Sequence, residues 1–313
     1  MKELNILLIG DGNIGSIHKR IITESETINL VGIVDKKYKN LSKNGILYFN
    51  DIKEIDFNKL TLDGVIVATP TKSHYQISKK IIENKIPVLV EKPVTTNISN
   101  LKKLIELAKK NNTVFRAGLI ETCNPIFSYL KDNINIDEFE LIHIKRHSPK
   151  PSDGRELEDV LFDLSIHDIS VLYSLFGFKK IELVSISTIK KNGTIETADM
   201  MLKIGKKNIF ISSSRQSQLK IRSWSLQSSS ELFEINLIEK KLDIFKTGGI
   251  KFTNSKPSYE TYKSQMSFID YQETAQIQFD LFINNIKSKK IDKDHIKLIH
   301  QSHNFISELS KNI

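Results

Sequence analysis

The sequence predicts an α/β protein in which a doubly wound parallel sheet is followed by an α+β domain with a large, mostly antiparallel open sheet. Two patterns carry this prediction. Residues 1–118 alternate short apolar runs with amphipathic helical stretches, which is typical of a parallel sheet covered by helices. Segments within residues 119–313 instead alternate apolar and polar side chains, which indicates a sheet with one buried face. We therefore expect two domains, 1–118 and 119–313, with the C-terminal helices able to pack back on the first.

Strands and helices of the first domain are predicted from the spacing of apolar residues. The run 64–68 (GVIVA) is rich in β-branched residues, and residues 98–111 place Leu101, Leu104 and Ile105 on one helical face. The stretch between Asp35 and the next strand is interpreted as a polar loop. The predicted strands are 5–10, 30–34, 46–49, 64–68, 87–90 and 114–117, and the predicted helices are 14–24, 74–84 and 98–111.

The second domain is predicted to contain more strands than helices. Ala198, Met200, Leu202 and Ile204 alternate with polar residues, as expected for a strand that buries one face. The outer face of such a sheet suits a subunit interface, so we expect a homo-oligomer, a dimer or a tetramer. The predicted strands are 138–145, 181–189, 197–204, 208–213, 221–227, 231–236 and 241–245, and the predicted helices are 157–175, 271–288 and 292–311.

The first strand runs into a glycine-rich turn, GDGNIG, at residues 10–15. Gly10 allows a tight turn, Gly12 lets a pyrophosphate approach the backbone, and Gly15 lets the helix pack closely on the strand. The predicted helix begins at Ile14, directly after Asn13, and its free N–H groups and the positive end of the helix dipole suit phosphate oxygens. This order of elements predicts a Rossmann-type dinucleotide-binding domain.

Asp35 ends the second strand, twenty residues after Gly15. A carboxylate at this place can accept hydrogen bonds from both hydroxyls of an adenosine ribose and would repel a 2′-phosphate. The sequence therefore predicts NAD as the cofactor, with NADP disfavoured. Lys36, Lys37 and Lys39 follow, either as a solvated loop or as cations that soften this preference.

Composition excludes several other classes of protein. The 313 residues are 39% hydrophobic, enough for ordinary cores, and carry a formal net charge of +9. The lysines are scattered and no nucleic-acid-binding motif accompanies them, so we expect small anionic ligands and no nucleic acid. The single cysteine, Cys123, excludes an intrachain disulfide and a cysteine metal cluster. With no signal peptide and no apolar run of about twenty residues, we expect a cytoplasmic protein without a membrane segment.

Candidate catalytic residues follow the predicted strands 64–68 and 87–90. Glu91, Lys92 and Pro93 come directly after the latter, at the carboxyl edge of a parallel sheet, where ligands bind. Thr69 and Pro70 end the former, and we expect them to line the nicotinamide side of the same crevice. His74, four residues beyond Pro70, is interpreted as structural more than catalytic, although it belongs to the cofactor-binding set.

A second candidate group lies within the predicted helix 157–175. Asp163 and His167 are four residues apart and so share one helix face. A carboxylate beside a histidine on a largely buried helix is a general-base arrangement, but a buried ion pair or cap would have the same pattern. Asp168 points elsewhere and is the poorer candidate for contact with the same ligand.

These motifs, in this order along nearly the whole chain, resemble the glucose-fructose oxidoreductase and inositol dehydrogenase family. The matching segments are GDGNIG, Asp35, TPTKSH, VLVEKP and DLSIHD. The resemblance implies an NAD(P)-dependent dehydrogenase acting on a CH–OH group, with Lys92, Asp163 and His167 as the catalytic set and no metal. A non-catalytic, dinucleotide-sensing regulator is the alternative from another class, and the intact catalytic set argues against it.

A narrower resemblance links the segment after residue 117, GLIETCNP, to the GHIERFNP of the UDP-N-acetylglucosamine 3-dehydrogenases. The chain departs from that pattern at Leu119, Thr122 and Cys123, and keeps only part of a proline-rich loop as Pro149-Lys-Pro151. The resemblance implies oxidation of the 3-hydroxyl of a UDP-linked amino sugar, in nucleotide-sugar and lipopolysaccharide biosynthesis. A free-sugar or cyclitol dehydrogenase is the alternative enzyme. The predicted substrate-binding residues are Glu121, Asn124, Arg146, Lys150 and Arg155.

Overall fold

The computed structural model describes residues 4–39, 41–57, 59–151, 158–253, 256–311 and 313, with the backbone alone over 250–253 and 256–259. It divides into two compact units. The first unit is Met1–Cys123 with Glu273–Glu308, and the second is Asn124–Gln272 with Leu309–Ile313. The last helices of the chain thus contribute mainly to the first unit, whereas the sequence-based bounds assign all of 119–313 to the second domain.

Seven strands form the sheet of the first unit: β1 (Leu4–Ile9), β2 (Ile28–Val34), β3 (Leu41–Lys43), β4 (Ile46–Phe49), β5 (Gly64–Val67), β6 (Val88–Val90) and β7 (Phe115–Ala117). Their spatial order is β3-β4-β2-β1-β5-β6-β7. Every neighbouring pair is parallel except β3 and β4. All residues of β5 and β6 are buried, as expected for a parallel sheet covered on both faces.

β3 corrects the prediction of a loop after Asp35. Asn44 and Gly45 connect β3 to β4, and both have positive φ, 52° and 76°. A two-residue hairpin turn of the type I′ class needs this conformation at both positions, which Asn-Gly adopts readily. The Asn-Gly pair was therefore a usable signal, but the polar residues of β3, all exposed, concealed the strand.

Five helices contribute to the first unit: α1 (Asn13–Thr23), α2 (Thr71–Glu83), α3 (Ile98–Lys110), α6 (Thr274–Ser288) and α7 (Lys293–Lys311). α1 and α6 cover one sheet face, where Ile21, Phe279 and Phe282 join a cluster with Ile6 and Ile66. Such burial contributes roughly 1.5–3 kcal/mol per large apolar side chain. Within the described residues, no helix is long and apolar enough to cross a membrane.

Eight strands form the sheet of the second unit: β8 (Leu141–His147), β9 (Glu182–Lys191), β10 (Thr194–Ile204), β11 (Lys207–Ser214), β12 (Ile221–Gln227), β13 (Glu231–Asn236), β14 (Lys241–Thr253) and β15 (Lys256–Ser267). Their order is β15-β14-β13-β12-β8-β11-β10-β9, and only β8 and β11 pair in parallel. The predicted fold class, a Rossmann-type sheet followed by a large and mostly antiparallel sheet, is confirmed.

Three elements of the second unit were not predicted at their full extent. β14 continues past residue 245 and pairs with β15, which the sequence analysis missed. Residues 261–265 of β15 are all exposed, so no apolar alternation marks this edge of the sheet. Helix α4 (Pro125–Asn133) was also missed; Asn124 caps it and Pro125 occupies its first position.

The predicted helix 157–175 is two elements in its described part. A π-helical turn, Leu161–Ser165, leads into α5 (Ile166–Leu175), in which nine of the ten residues are buried. The Ser165 hydroxyl donates to Ser213 of β11 at 2.9 Å, which fixes this turn on the sheet. π-helical turns are rare and are frequently found at functional sites.

Candidate functional site

The glycine turn after β1 has the geometry that a dinucleotide pyrophosphate requires. Gly10 has a φ of +96°, and a Cβ there would collide with the backbone of Ala68 and Thr69. A Cβ at Gly15 would collide with the Gly10 carbonyl group. At Gly12, however, a Cβ would meet no protein atom within 4 Å, so the space beside this residue is open to a ligand.

The N-terminus of α1 adds hydrogen-bond donors to this turn. Gly12 is the N-cap, and among the described residues no side chain caps the helix. The first N–H groups of α1, beginning at Asn13, therefore suit phosphate oxygens. Ile14 is 45% exposed and offers apolar surface at the same place. These residues fit a dinucleotide.

Asp35 is held by backbone hydrogen bonds at the end of β2. Its Oδ2 accepts from the Asp11 N–H at 2.8 Å and its Oδ1 from the Lys37 N–H at 3.0 Å. Both bonds leave each oxygen able to accept another hydrogen bond. The carboxylate is therefore oriented before any ligand binds.

Asp11, within the glycine turn, is buried and surrounded by cationic and phenolic groups. Its carboxylate lies 3.1 Å from Lys37 Nζ and 3.3 Å from Lys19 Nζ, and accepts a hydrogen bond from Tyr38. Burial alone would raise the pKa of Asp11, but these groups hold it below its usual value. Burial and the bond to Asp11 raise the pKa of Tyr38 to about 12.

A cleft of about 670 Å³ in the first unit is lined by two glycines of the turn, Gly10 and Gly12, and by Asp35. Its walls come from the ends of β1, β2 and β5, at the carboxyl edge of the sheet, where open α/β sheets bind ligands. Of the predicted cofactor-binding residues, it includes Gly10, Gly12, Asp35, Thr69 and Pro70, and Lys36 and Lys72 also line it.

Glu91 and Lys92 follow β6. The Glu91 carboxylate binds Nε2 of His18, a buried residue of α1, at 2.7 Å. Burial would raise the pKa of Glu91, but His18 and Lys92 lower it below its usual value. A Cβ at Gly118 would collide with this carboxylate, so glycine leaves the room that Glu91 occupies. Lys92 is half-buried, and its peptide bond to Pro93 is cis.

His74 is buried and bound to the backbone, in agreement with a structural role. Its Nδ1 lies 2.9 Å from the Pro93 carbonyl oxygen and its Nε2 lies 2.6 Å from that of Thr69. Burial lowers its pKa. His74 therefore supports the backbone at Thr69 and at Pro93, which adjoins Glu91 and Lys92 of the predicted cofactor-binding set.

In the second unit, Asp163 lies in the π-helical turn and His167 in the first turn of α5. The Asp163 carboxylate accepts a hydrogen bond from Arg215, whose second terminal nitrogen donates to Ser148 at 2.6 Å. His167 is 8% exposed. The structure thus gives Asp163 a cationic partner that the sequence analysis did not name.

Arg146 was predicted to bind substrate, but its guanidinium group is buried against Asp168. Nε donates to Oδ2 at 2.7 Å and Nη2 to Oδ1 at 2.9 Å, a bidentate pair. Trp224 Nε1 also donates to Asp168, at 3.1 Å. Both charged side chains are 3% exposed or less. The buried, bidentate contact between Arg146 and Asp168 is typical of a structural ion pair within the second unit.

The other predicted substrate-binding residues differ in exposure and in hydrogen-bond partners. Lys150 is exposed and lies 2.6 Å from the Glu196 carboxylate. Asn124 uses its side chain to cap α4, and Glu121 is buried in a short 3₁₀ helix of the first unit. Arg155 lies outside the described residues.

His18 and Arg215 are the main residues that the sequence reasoning missed at these sites. His18 belongs to the buried stripe of α1, with Gly15, Ile21 and Ile22, so a histidine in an otherwise apolar stripe was an available signal. Arg215 follows β11 as a single arginine, and nothing in the local sequence indicates its partner 52 residues away.

A model of the oxidoreductase family with an NAD-binding Rossmann fold matches residues 4–119. This range contains the glycine turn, Asp35, Lys92 and the cleft described above. Residues 4–119 therefore match the NAD-binding domain of the GFO/IDH/MocA family of oxidoreductases.

Individual relatives with similar sequences act on different substrates. The chain is 25% identical to UDP-N-acetylglucosamine 3-dehydrogenase of Acidithiobacillus ferrooxidans over 203 residues, which are 63% of this chain and 63% of that protein. It is 24% identical to the myo-inositol 2-dehydrogenase of Thermotoga maritima over 64% of this chain and 65% of that protein. In sequence, the chain thus aligns with less than two thirds of either relative.

A solved structure of the Acidithiobacillus ferrooxidans UDP-N-acetylglucosamine 3-dehydrogenase superposes on 97% of this chain and 96% of its own, with a TM-score of 0.77 and 17% identity. At that identity the likeness shows a shared fold. The family match over residues 4–119 and the cleft together make the first unit an NAD-binding Rossmann domain.

Proposed function

We propose that the protein is an NAD-dependent oxidoreductase that converts the 3-hydroxyl of a nucleotide-activated amino sugar, of the UDP-N-acetylglucosamine type, to a ketone. The glycine turn carries the first part of this proposal, because the open position beside Gly12 and the uncapped N-terminus of α1 suit a pyrophosphate. The identity of the sugar is inferred from the similarity to the UDP-N-acetylglucosamine 3-dehydrogenase and from the GLIETCNP segment. The product would serve cytoplasmic nucleotide-sugar and lipopolysaccharide biosynthesis.

The proposed chemistry removes a hydride and a proton from one CH–OH group. NAD supplies the hydride acceptor when it is bound. His167 takes the hydroxyl proton, because a neutral imidazole is a base near neutral pH. The Lys92 ammonium group donates a hydrogen bond to the same oxygen and stabilises its alkoxide character. Asp163 orients the sugar or His167, and Arg215 holds the Asp163 carboxylate in place.

NAD is proposed over NADP because of Asp35. Its carboxylate is already oriented by two backbone N–H groups and can still accept hydrogen bonds from ribose hydroxyls. Lys37 Nζ is bound to Asp11, which limits its ability to meet a 2′-phosphate. Lys36 lines the cleft and is the cation that would reduce this preference.

The proposed substrate contacts are Glu121, Asn124, Lys150 and Arg155. Arg146 is left out because its guanidinium group is already bound to Asp168. Lys150 is 63% exposed at its side chain, so its ammonium group can leave Glu196 for a diphosphate at small cost. A diphosphate would therefore meet Lys150.

A free-sugar or cyclitol dehydrogenase is the second candidate. The bidentate bond between Arg146 and Asp168 favours this second candidate, because it occupies an arginine that was predicted to bind the diphosphate. The likeness to myo-inositol 2-dehydrogenase has a similar extent to that with the nucleotide-sugar enzyme. The two functions differ in one property, the binding of UDP.

Calorimetric titration of UDP in the presence of NADH separates the two candidates. The nucleotide-sugar proposal expects UDP to bind and to compete with substrate, and Lys150→Ala to weaken both effects. Lys145→Ala, which removes an exposed lysine of β8, is the matched control and should leave UDP binding unchanged. If UDP does not bind while myo-inositol or a free sugar reduces NAD, the second candidate replaces the first.

We also propose that the outer face of the second sheet joins copies of this chain in a homo-oligomer. A shallow groove on this face is lined by several small polar side chains with Phe210 and Met201. Phe210 is 36% exposed and stacks on His143 with ring centroids 4.9 Å apart. A surface groove with an exposed aromatic side chain suits self-association.

A further inference from the structure

Three buried histidines surround the segment that carries Lys92. They come from different helices of the first unit, His18 from α1, His74 from α2 and His303 from α7, and none is more than 2% exposed. Each binds another point of residues 91–94. A buried polar side chain is costly unless its hydrogen bonds are made, so these contacts define the conformation in which the unit is stable.

One contact is to a side chain and two are to the backbone. His18 Nε2 binds the Glu91 carboxylate at 2.7 Å, and His74 Nδ1 lies 2.9 Å from the Pro93 carbonyl oxygen. His303 Nε2 lies 3.0 Å from the Val94 nitrogen. The segment is therefore held before Lys92 through the Glu91 side chain and after it through the backbone of Pro93 and Val94.

The protonation state of His303 follows from its partners. The Val94 nitrogen is a donor, so Nε2 of His303 must be the accepting nitrogen. Nδ1 then carries the hydrogen and donates to the Ile299 carbonyl oxygen at 2.8 Å. One neutral tautomer satisfies both bonds, and no other form of the ring does. The contact to Val94, made across 209 residues of sequence, thus depends on one acceptor atom.

We propose that His18, His74 and His303 are positioning residues that fix the backbone around Lys92 and so place its ammonium group for hydride transfer. This inference rests on the proposed function, in which Lys92 donates to the substrate oxygen. His18 also joins the segment to α1, the helix that begins at the pyrophosphate turn. A misplacement of about 1 Å of a catalytic group can cost roughly a hundredfold in rate.

The test compares two amides at residue 303. The side-chain oxygen of glutamine reaches the position of Nε2 and can accept from Val94, whereas asparagine reaches only the position of Nδ1 and keeps the bond to Ile299. We expect His303→Gln to keep kcat within a few-fold of wild type and His303→Asn to lose roughly tenfold to a hundredfold. The dissociation constant of NAD should change little in either variant.

A double variant distinguishes positioning from general stability. If His303 acts through Lys92, then His303→Asn should lower the rate of the Lys92→Ala enzyme far less than it lowers that of wild type. Equal losses in the two backgrounds, or equal activity of the Gln and Asn variants, would overturn the proposal.

Amide hydrogen exchange at Val94 gives a measurement that needs no substrate. It should be slow in wild type and His303→Gln and faster in His303→Asn. If wild type oxidises no sugar, the proposed function fails, whereas unchanged exchange at Val94 rejects the positioning contact itself. Should His303→Asn not fold, the reversed pair at residue 74 replaces it, because asparagine there keeps the contact to Pro93 and glutamine loses it.

Discussion

Local sequence was enough to predict the position of Asp35 but not the partners of Arg146. Asp35 follows a strand at a fixed distance from the glycine turn, so local sequence is enough to place its carboxylate in the cofactor cleft. Arg146 is fixed by Asp168 and Trp224, which lie on other elements, and its predicted role in binding substrate did not anticipate these partners. His18 with Glu91, and Asp163 with Arg215, were missed for the same reason.

At Asp35, replacement with serine should narrow the difference between NAD and NADP binding. Serine keeps a hydroxyl group near the ribose but removes the charge that repels a 2′-phosphate. We expect wild type to bind NAD more tightly and Asp35→Ser to approach equal affinity, measured by fluorescence titration of the reduced cofactors. Equal or reversed affinities in wild type would contradict the assignment of Asp35.

At Arg146, replacement with alanine should destabilise the second unit. It would leave the buried Asp168 carboxylate without its guanidinium partner, and breaking such a pair costs about 3–5 kcal/mol. Trp224, the single tryptophan, donates to Asp168 and reports unfolding of this unit by its fluorescence in urea. Lys145→Ala on the same strand should cost less than about 1 kcal/mol. An Arg146→Ala protein as stable as Lys145→Ala would show that the pair contributes little.

Among the strands, the central ones with buried residues were predicted, whereas β3 and β15 at sheet edges were missed. The central strands β5 and β6 have continuous apolar runs, and β10 has a clean alternation, because both of their patterns follow from burial. β3 and β15 lie at the edges of their sheets, where exposed polar side chains hide the strand. The π-helical turn before α5 has an ordinary helical pattern in sequence, and its widening depends on packing against the sheet.

The docking of α7 on the first unit should weaken in acid. Burial lowers the pKa of His303 to about 4 and that of His295 to about 3, from the ordinary 6.5. Between the unfolded and folded values, the unfolded chain binds protons that the folded chain does not. The free energy of unfolding must therefore fall as the pH decreases from about 6.5, and His303 alone accounts for about 2 kcal/mol at about pH 5.

Urea unfolding followed by circular dichroism at several pH values measures this effect. His303→Gln removes one titrating group but keeps an acceptor for Val94, so its stability should depend less on pH than that of wild type. Lys110→Ala, which changes an exposed lysine of α3 and no histidine, is the control and should keep the wild-type dependence. Parallel curves for all three proteins would contradict the lowered pKa of His303.

For the whole molecule, composition predicted the charge but not its distribution. The lysines were expected to be scattered, yet six of them line one groove of the first unit with Glu106 as its one carboxylate: Lys102, Lys109, Lys289, Lys290, Lys293 and Lys297. They come from α3, α7 and the turn before α7, which only the folded chain brings together. Burial, Lys102 and Lys109 lower the pKa of His300, which lies in the same groove.

Self-association through the outer face of the second sheet should depend on Phe210. Phe210→Lys places a charge on the proposed interface and should shift the protein to a smaller species in light scattering after gel filtration. Leu219→Lys makes the same change at a side chain that is 69% exposed and does not line the groove, and it should leave the mass unchanged. A wild-type protein that is monomeric at micromolar concentration would contradict the proposed homo-oligomer.

The formation of NADH from UDP-N-acetylglucosamine is the most direct test of the proposed function. In that function the enzyme oxidises a UDP-linked amino sugar with NAD, and Lys92 is a catalytic group. Wild type should produce NADH, and Lys92→Ala should keep NAD binding but lose roughly a hundredfold to ten-thousandfold in rate. Lys110→Ala, at an exposed lysine of α3, should match wild type. The proposed function would be contradicted if wild type formed no NADH from this substrate. It would also be contradicted if the Lys92→Ala enzyme kept more than about a tenth of the wild-type rate.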